Sequence, residues 1–153
     1  MRHYLQGGDH ERIMTTLSLS VSFEFSSSHR LYRSDCSDDE NLRLYGKCSN
    51  PNGHGHNYIL EVRVSGPLQP STEMVMDAGI LKRIVEQEVL EDVDHKDLNR
   101  DTPWLEGRVP TTEVVAQAIF ERLSAAIAKI HSTVSLDSIT LHETRRISVT
   151  VSK

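Results

Sequence analysis

From Leu17 to Phe25 every odd position is apolar (Leu17, Leu19, Val21, Phe23, Phe25) and every even position is Ser or Glu. A period of two is the pleat of a β-strand, so this segment buries one face and leaves the other to polar surroundings. Such a strand needs hydrogen-bonding neighbours and an apolar layer against its buried side. A second strand runs from about His54 to Ser65, where Tyr58, Leu60, Val62 and Val64 alternate with Glu61, Arg63 and Ser65 until Gly66-Pro67 stops it. Two more close the sequence: Leu136, Ile139 and Leu141 in one and Ile147, Val149 and Val151 in the other, joined through Glu143-Thr144-Arg145.

The covering layer comes from two amphipathic helices. Asp77 is placed to cap the first, whose stripe is Ile80, Leu81, Ile84, Val85 and Val89. The second follows Pro110 and carries Val115, Ala118, Ile119, Leu123, Ala126, Ile127 and Ile130 on one face. The expected order is ββααββ, an α+β domain in which a four-stranded antiparallel sheet carries both helices on one face. At 153 residues the chain suits one domain. Residues 1–15, with Gly7-Gly8 and no period, are read as a flexible leader, and 16–153 as the single folded domain. The polar stretch from Ser26 to Gly53 is read as a long connection, of the kind that carries function.

Charge and composition narrow the function classes. With 17 Lys and Arg against 22 Asp and Glu, the net charge of -5 argues against a general binder of nucleic acid or anionic membrane. No apolar run approaches the roughly 20 residues that cross a bilayer, and the start lacks the apolar core of a secretion signal, so the cytosol is the expected compartment. In that reducing setting Cys36 and Cys48 are not expected to form a disulfide.

Gly53-His54-Gly55-His56 sets two imidazoles two residues apart, hence on one side of a strand and on the inward side by parity with Tyr58 and Leu60. The glycines are expected to leave room for a ligand. His29 shares the inward parity of Phe23 and Phe25, so three imidazoles can converge, the three-ligand pattern of catalytic zinc. Cys48 lies six residues before His54 in a Pro- and Gly-rich turn; it is a fourth metal ligand, a nucleophile, a base or an inert small residue, and Lys47 favours its thiolate. Asp94-His95 is either a carboxylate orienting a proton-exchanging imidazole or a solvated surface pair. Thr111-Thr112-Glu113 reads locally as a helix cap with an acid in the first turn. Glu143 has inward parity, so it is buried at a cost or faces a polar pocket.

Six blocks in order resemble the 6-pyruvoyl-tetrahydropterin synthase family: Ser-Ser-His-Arg-Leu at 27–31, Gly-Lys-Cys-Ser-Asn-Pro-Asn-Gly-His-Gly-His-Asn-Tyr at 46–58, Met-Val-Met-Asp at 74–77, Asp-His-Lys-Asp-Leu-Asn at 94–99, Thr-Thr-Glu at 111–113 and His-Glu-Thr at 142–144. The resemblance implies a T-fold, with three subunits closing their sheets into a barrel and two trimers stacking as a homo-hexamer. It implies Zn2+ on His29, His54 and His56, proton abstraction by Cys48, and an Asp94-His95 relay completed across a subunit boundary. Glu113 is then the pterin anchor with Thr111 and Thr112 nearby, and Glu143 a further pocket carboxylate. The implied substrate is 7,8-dihydroneopterin triphosphate, converted to 6-pyruvoyl-tetrahydropterin without a nicotinamide cofactor. The spacing of Cys48 from His54 resembles this branch more than the related 6-carboxy-tetrahydropterin synthases. A zinc-stabilised, non-catalytic domain is the reading of a different class. A zinc hydrolase lacks a Glu beside the paired histidines.

Overall fold

The computed structural model describes residues 16–153; the leader expected over residues 1–15 lies outside them. Strand β1 (Leu17–His29) pairs antiparallel with β2 (His54–Gly66), in unbroken register from Leu17 opposite Gly66 to His29 opposite His54. Strand β2 pairs with β4 (Ser135–Thr144) and β4 with β5 (Ile147–Ser152), all antiparallel. Among the described residues the sheet has five strands and not the expected four, because Lys96–Asp97 forms a two-residue β3 parallel to Ser27-Ser28 at the other edge, giving the order β3-β1-β2-β4-β5. This strand exists only through its partner: the His95 N–H donates to the Ser26 carbonyl and the Leu98 N–H to the Ser28 carbonyl. Nothing local in the sequence marks it.

One face of the sheet carries Phe25, Tyr58, Leu60, Val62, Val64, Leu136, Ile139 and Leu141, all buried. Helices α2 (Ala78–Val85) and α4 (Thr112–Ile130) cover that face with Leu81, Val85, Val115, Ile119 and Leu123. Asp77 caps α2 by accepting from the Gly79 N–H at 2.7 Å. The stripe that begins there runs on past α2 through a π-turn (Glu86–Leu90) and a short α3 (Glu91–Val93), so Val89 and Val93 join the same core.

The stretch read as a connection holds an eight-residue helix, α1 (Asp38–Tyr45), and a 3-10 turn (Gly46–Ser49). Ser37 and Glu40 close a capping box at its start. Asn41, buried, ties α1 to the loop before it by accepting from the Arg33 N–H and donating to the carbonyls of Arg33, Cys36 and Ser37. Cys36 and Cys48 are both free thiols.

Two bulges interrupt the regular pairing of β4. Between Arg63 and Val64 the partner shifts from Ser138 to Leu136, so Asp137 is extra and the inward series steps from Leu136 to Ile139. Between His142 and Thr144 the pairing with β5 shifts in the same way, leaving Glu143 as the additional residue.

Candidate active site

The inward face of β1 becomes progressively more buried along the strand and ends at His29, which is 1% exposed. There its Nδ1–H donates to the Pro110 carbonyl at 2.9 Å. That carbonyl is free for the purpose because the first turn of α4 begins one residue later, with Thr111 capping the Val114 N–H. With Nδ1 committed as donor, the bare lone pair of His29 is on Nε2, 3.1 Å from His54 Nε2.

His29, His54 and His56 form a cluster whose ligand nitrogens all lie within 4.8 Å of one another. Ring centres are 4.6, 5.2 and 4.9 Å apart for the pairs 29–54, 29–56 and 54–56. Nitrogens bound tetrahedrally to zinc at about 2.0–2.1 Å are roughly 3.3 Å apart, a spacing that His29 and His54 already have at 3.1 Å and that rotation of the imidazoles would complete for the set. His56 Nε2 is buried with no hydrogen-bond partner among the described residues, an orphan that an ion would satisfy. The His29 bond to a main-chain carbonyl is the outer contact that orients a metal-binding imidazole. Burial, the leading cause, pushes both His29 and His56 below the ordinary imidazole pKa. Neutral imidazole is the ligating form. The donor set thus fits a metal centre. The Cys48 thiol is not a member of the cluster.

The glycines serve a purpose other than the one expected of them. A Cβ on Gly53 would sit 3.0 Å from the His29 carbonyl oxygen, and one on Gly55 would sit 3.0 Å from that of Ser27. The space they free is taken by the β1 backbone and not left for a ligand. Gly53 also adopts φ +66, which glycine reaches without a steric penalty.

Glu143 enters this pocket from the β4 bulge. Its Oε1 accepts from Thr112 Oγ1 at 2.9 Å and lies 3.8 Å from His29 Nε2 and 3.7 Å from His56 Nε2. Tyr58, inward and buried, stacks on Phe25 with ring centres 5.0 Å apart and meets His56 edge-on at 5.6 Å. Burial, then the charges of Glu143 and Cys48, push its phenol above the ordinary range.

Asp94 and His95 are held on the sheet edge. Asp94 Oδ1 accepts from the Ser26 N–H at 2.9 Å, its leading cause of a lowered pKa, and lies 2.9 Å from His95 Nδ1. His95 takes φ +57, a conformation that costs a non-glycine residue energy and is maintained by the surrounding bonds. Its side chain is 82% exposed. His56 and His95 line one cleft of about 530 Å³ with Ser26, Ser28 and Asn57. No hydrogen bond or ion pair among the described residues joins Asp94 or His95 to Cys48, which sits partly exposed in the 3-10 turn with its carbonyl bonded by the Leu31 N–H. Glu113 is exposed on the first turn of α4, while Thr111 caps the helix and Thr112 holds Glu143. The Thr112–Glu143 bond has no signal in the sequence; a cap read alone does not reveal which strand it faces.

A two-layer α+β chain with an inward three-imidazole centre and an adjoining carboxylate defines a class of candidate metalloenzyme. The chain belongs to the 6-pyruvoyl tetrahydropterin synthase family, whose family model matches residues 18–153. It is 46% identical over 120 residues to the 6-pyruvoyl tetrahydrobiopterin synthase of Pongo abelii, covering 78% of this chain and 81% of that protein. It is similar to the solved structure of Caenorhabditis elegans 6-pyruvoyl tetrahydropterin synthase at TM-score 0.82 and 36% identity, over 92% of this chain and 97% of that one. A 6-carboxy-5,6,7,8-tetrahydropterin synthase from Haemophilus influenzae is more distant, 32% identical over 146 residues, with 82% of this chain and 92% of that protein covered.

Proposed function

We propose that the protein is a zinc-dependent lyase converting 7,8-dihydroneopterin triphosphate to 6-pyruvoyl-tetrahydropterin with release of inorganic triphosphate. The observation that carries this reading is the His29–His54–His56 cluster, with Glu143 bonded beside it, in a member of this family. His29, His54 and His56 would hold the zinc, which when bound would supply Lewis acidity toward the oxygens of the substrate's side arm and so acidify the neighbouring C–H. Cys48, as thiolate, takes that proton. The electron pair moves toward the ring, which gains hydrogen as the side arm is oxidised, so no external reductant is needed. Asp94 holds the Nδ1–H of His95, which leaves Nε2 as the atom that exchanges a proton. Glu113, with Thr111 and Thr112, approaches the pterin from the start of α4, and Glu143 approaches it from the bulge; a carboxylate accepts two parallel hydrogen bonds from an amino-pyrimidine edge.

The assembly proposed is a T-fold barrel of three subunits, stacked in pairs as a hexamer. Two features support it. Among the described residues strand β5 has a neighbour on one side only, and β3 covers just Ser27-Ser28 of the opposite edge. The sheet face away from the helices is polar, with Ser20, Glu24, Glu61, Arg63, Thr140 and Thr150, and so suits a hydrated barrel interior. No helix among the described residues is long and apolar enough to cross a membrane, and the cytosol is the proposed site of action.

The test is incubation of the purified protein with zinc and dihydroneopterin triphosphate, followed by identification of the products. Pyruvoyl-tetrahydropterin and triphosphate are expected. A 6-carboxy product would move the protein to the branch of the 6-carboxy-tetrahydropterin synthases, and no turnover with full metal content would favour the non-catalytic domain.

A further inference from the structure

Arg30 directly follows the buried His29, and its guanidinium is fixed without an acid. Nε donates to the Ser49 carbonyl at 2.8 Å, and the guanidinium carbon lies 3.9 Å from the centre of the Tyr32 ring. Its main chain is clamped as well: the Arg30 N–H donates to Asn99 Oδ1 at 2.8 Å and its carbonyl accepts from Asn99 Nδ2 at 2.9 Å. Among the described residues no carboxylate stands within ion-pair distance of Arg30, and its terminal NH2 groups have no hydrogen-bond partner. A stacked guanidinium anchored through Nε presents its remaining donors in a fixed fork suited to phosphoryl oxygens.

Arg30 lines a cleft of about 400 Å³ together with Arg100, Tyr32, Asn52, Gly53 and Asp97. Arg100 likewise has no ion pair among the described residues. The cleft's one acid, Asp97, is engaged in its own turn, where Oδ1 accepts from the Asn99 N–H at 2.9 Å. Gly53, in the wall, approaches the His29 carbonyl and precedes His54, so the cleft shares its backbone with the metal centre. Other cations are less suitably placed for a polyanion. Lys47 lines a cleft with Asp38 and Asp39, which Arg30 borders from its other side, and Arg145 shares one with Glu24.

We infer that this cleft is the polyphosphate subsite of the substrate, with Arg30 and Arg100 binding the phosphoryl oxygens. The inference rests on the dihydroneopterin triphosphate reading and adds where its leaving group is held. When the adjacent C–H has given up its proton, its electron pair forms a C=C bond as the C–O bond to the triphosphate breaks, the C–O pair departs with the triphosphate oxygen, and two guanidiniums stabilise the leaving anion. Arg100 is the cleaner probe, because Arg30 also braces the turn containing Cys48 through Ser49.

In zinc-loaded full-length protein, Arg100→Gln is expected to raise KM for dihydroneopterin triphosphate about tenfold or more, the scale of losing a charge-assisted contact. Calorimetry should show inorganic triphosphate binding weakened by a similar factor, with binding of unphosphorylated 7,8-dihydroneopterin changed less than about twofold. Arg145→Gln should leave all three near wild type. The subsite is overturned if Arg100→Gln leaves triphosphate affinity unchanged, if it weakens the unphosphorylated pterin equally, or if Arg145→Gln takes the effect. Wild type that binds triphosphate through Arg100 but forms no pyruvoyl product would overturn the proposed activity and leave the subsite standing. An active wild type matched by Arg100→Gln would do the reverse.

Discussion

Gly53→Ala tests whether the histidine centre depends on how closely β2 approaches β1. Two costs arise at Gly53. The first is conformational: φ +66 is a left-handed value, which costs a residue with a Cβ about 1–2 kcal/mol, offset by about 0.4–1 kcal/mol from the stiffer unfolded chain. The second is steric: the new Cβ would lie 3.0 Å from the His29 carbonyl oxygen, so the end of β1 must give way by a few tenths of an ångström. Gly107 separates the two costs, since it takes φ +75 with no atom of the described residues within 4 Å of an added Cβ. Gly107→Ala should therefore lose about 1 kcal/mol of stability, and Gly53→Ala about 1–3 kcal/mol. Neither unfolds a domain whose stability is typically about 5–15 kcal/mol.

The metal distinguishes the two substitutions more sharply than stability does. Ligand positions in a metal site tolerate about 0.2 Å, and disturbing the groups that orient ligands typically costs about 10- to 100-fold in affinity. Gly53→Ala displaces His29 relative to His54, so it should weaken zinc binding by about that factor, whereas Gly107→Ala should leave it within about twofold. Urea unfolding of the chelated proteins measures the first effect, and competition with a chromophoric chelator the second. Zinc affinity equal to wild type in Gly53→Ala, or equally weakened in both variants, would refute the argument.

Three further expectations follow from the site. His54→Ala and His56→Ala should each lose most bound zinc, yet the chelated wild type should keep its circular dichroism, because the core of Leu60, Val62, Ile119 and Leu141 is complete without the centre; wholesale unfolding on chelation would favour a structural metal. Cys48→Ala should retain zinc and lose turnover by about 10² to 10⁴-fold, the range for a positioned acid–base group; zinc loss instead would make the thiol a ligand, and near-normal turnover with intact zinc would leave it as packing. Mixing inactive Cys48→Ala with inactive His95→Ala subunits should restore part of the activity, because some subunit boundaries then combine both intact residues; light scattering that finds an active monomer would contradict the shared site.

The residues legible in the sequence are those whose placement follows from an uninterrupted strand. His29, His54 and His56 converge because β1 and β2 keep one register over their whole length, so parity counted from Phe25 and Tyr58 survives to the strand ends. Parity fails where a strand gains a residue. At Asp137 the bulge explains a spacing of three between inward Leu136 and Ile139 that a regular strand forbids. Helix α1 escapes a reading by periodicity although Ser37-Asp38-Asp39-Glu40 spells its capping box, because Leu42 and Leu44 face outward and its one buried residue is Asn41, leaving no apolar stripe. Strand β3 is a tertiary product of main-chain bonds to Ser26 and Ser28. Glu143 shows how these two kinds of information combine. Its inward parity, continued from Ile139 and Leu141, places the carboxylate on the side of His29 and His56, but only the packing of α4 brings Thr112 to hold it there, at the position where β4 gains a residue against β5.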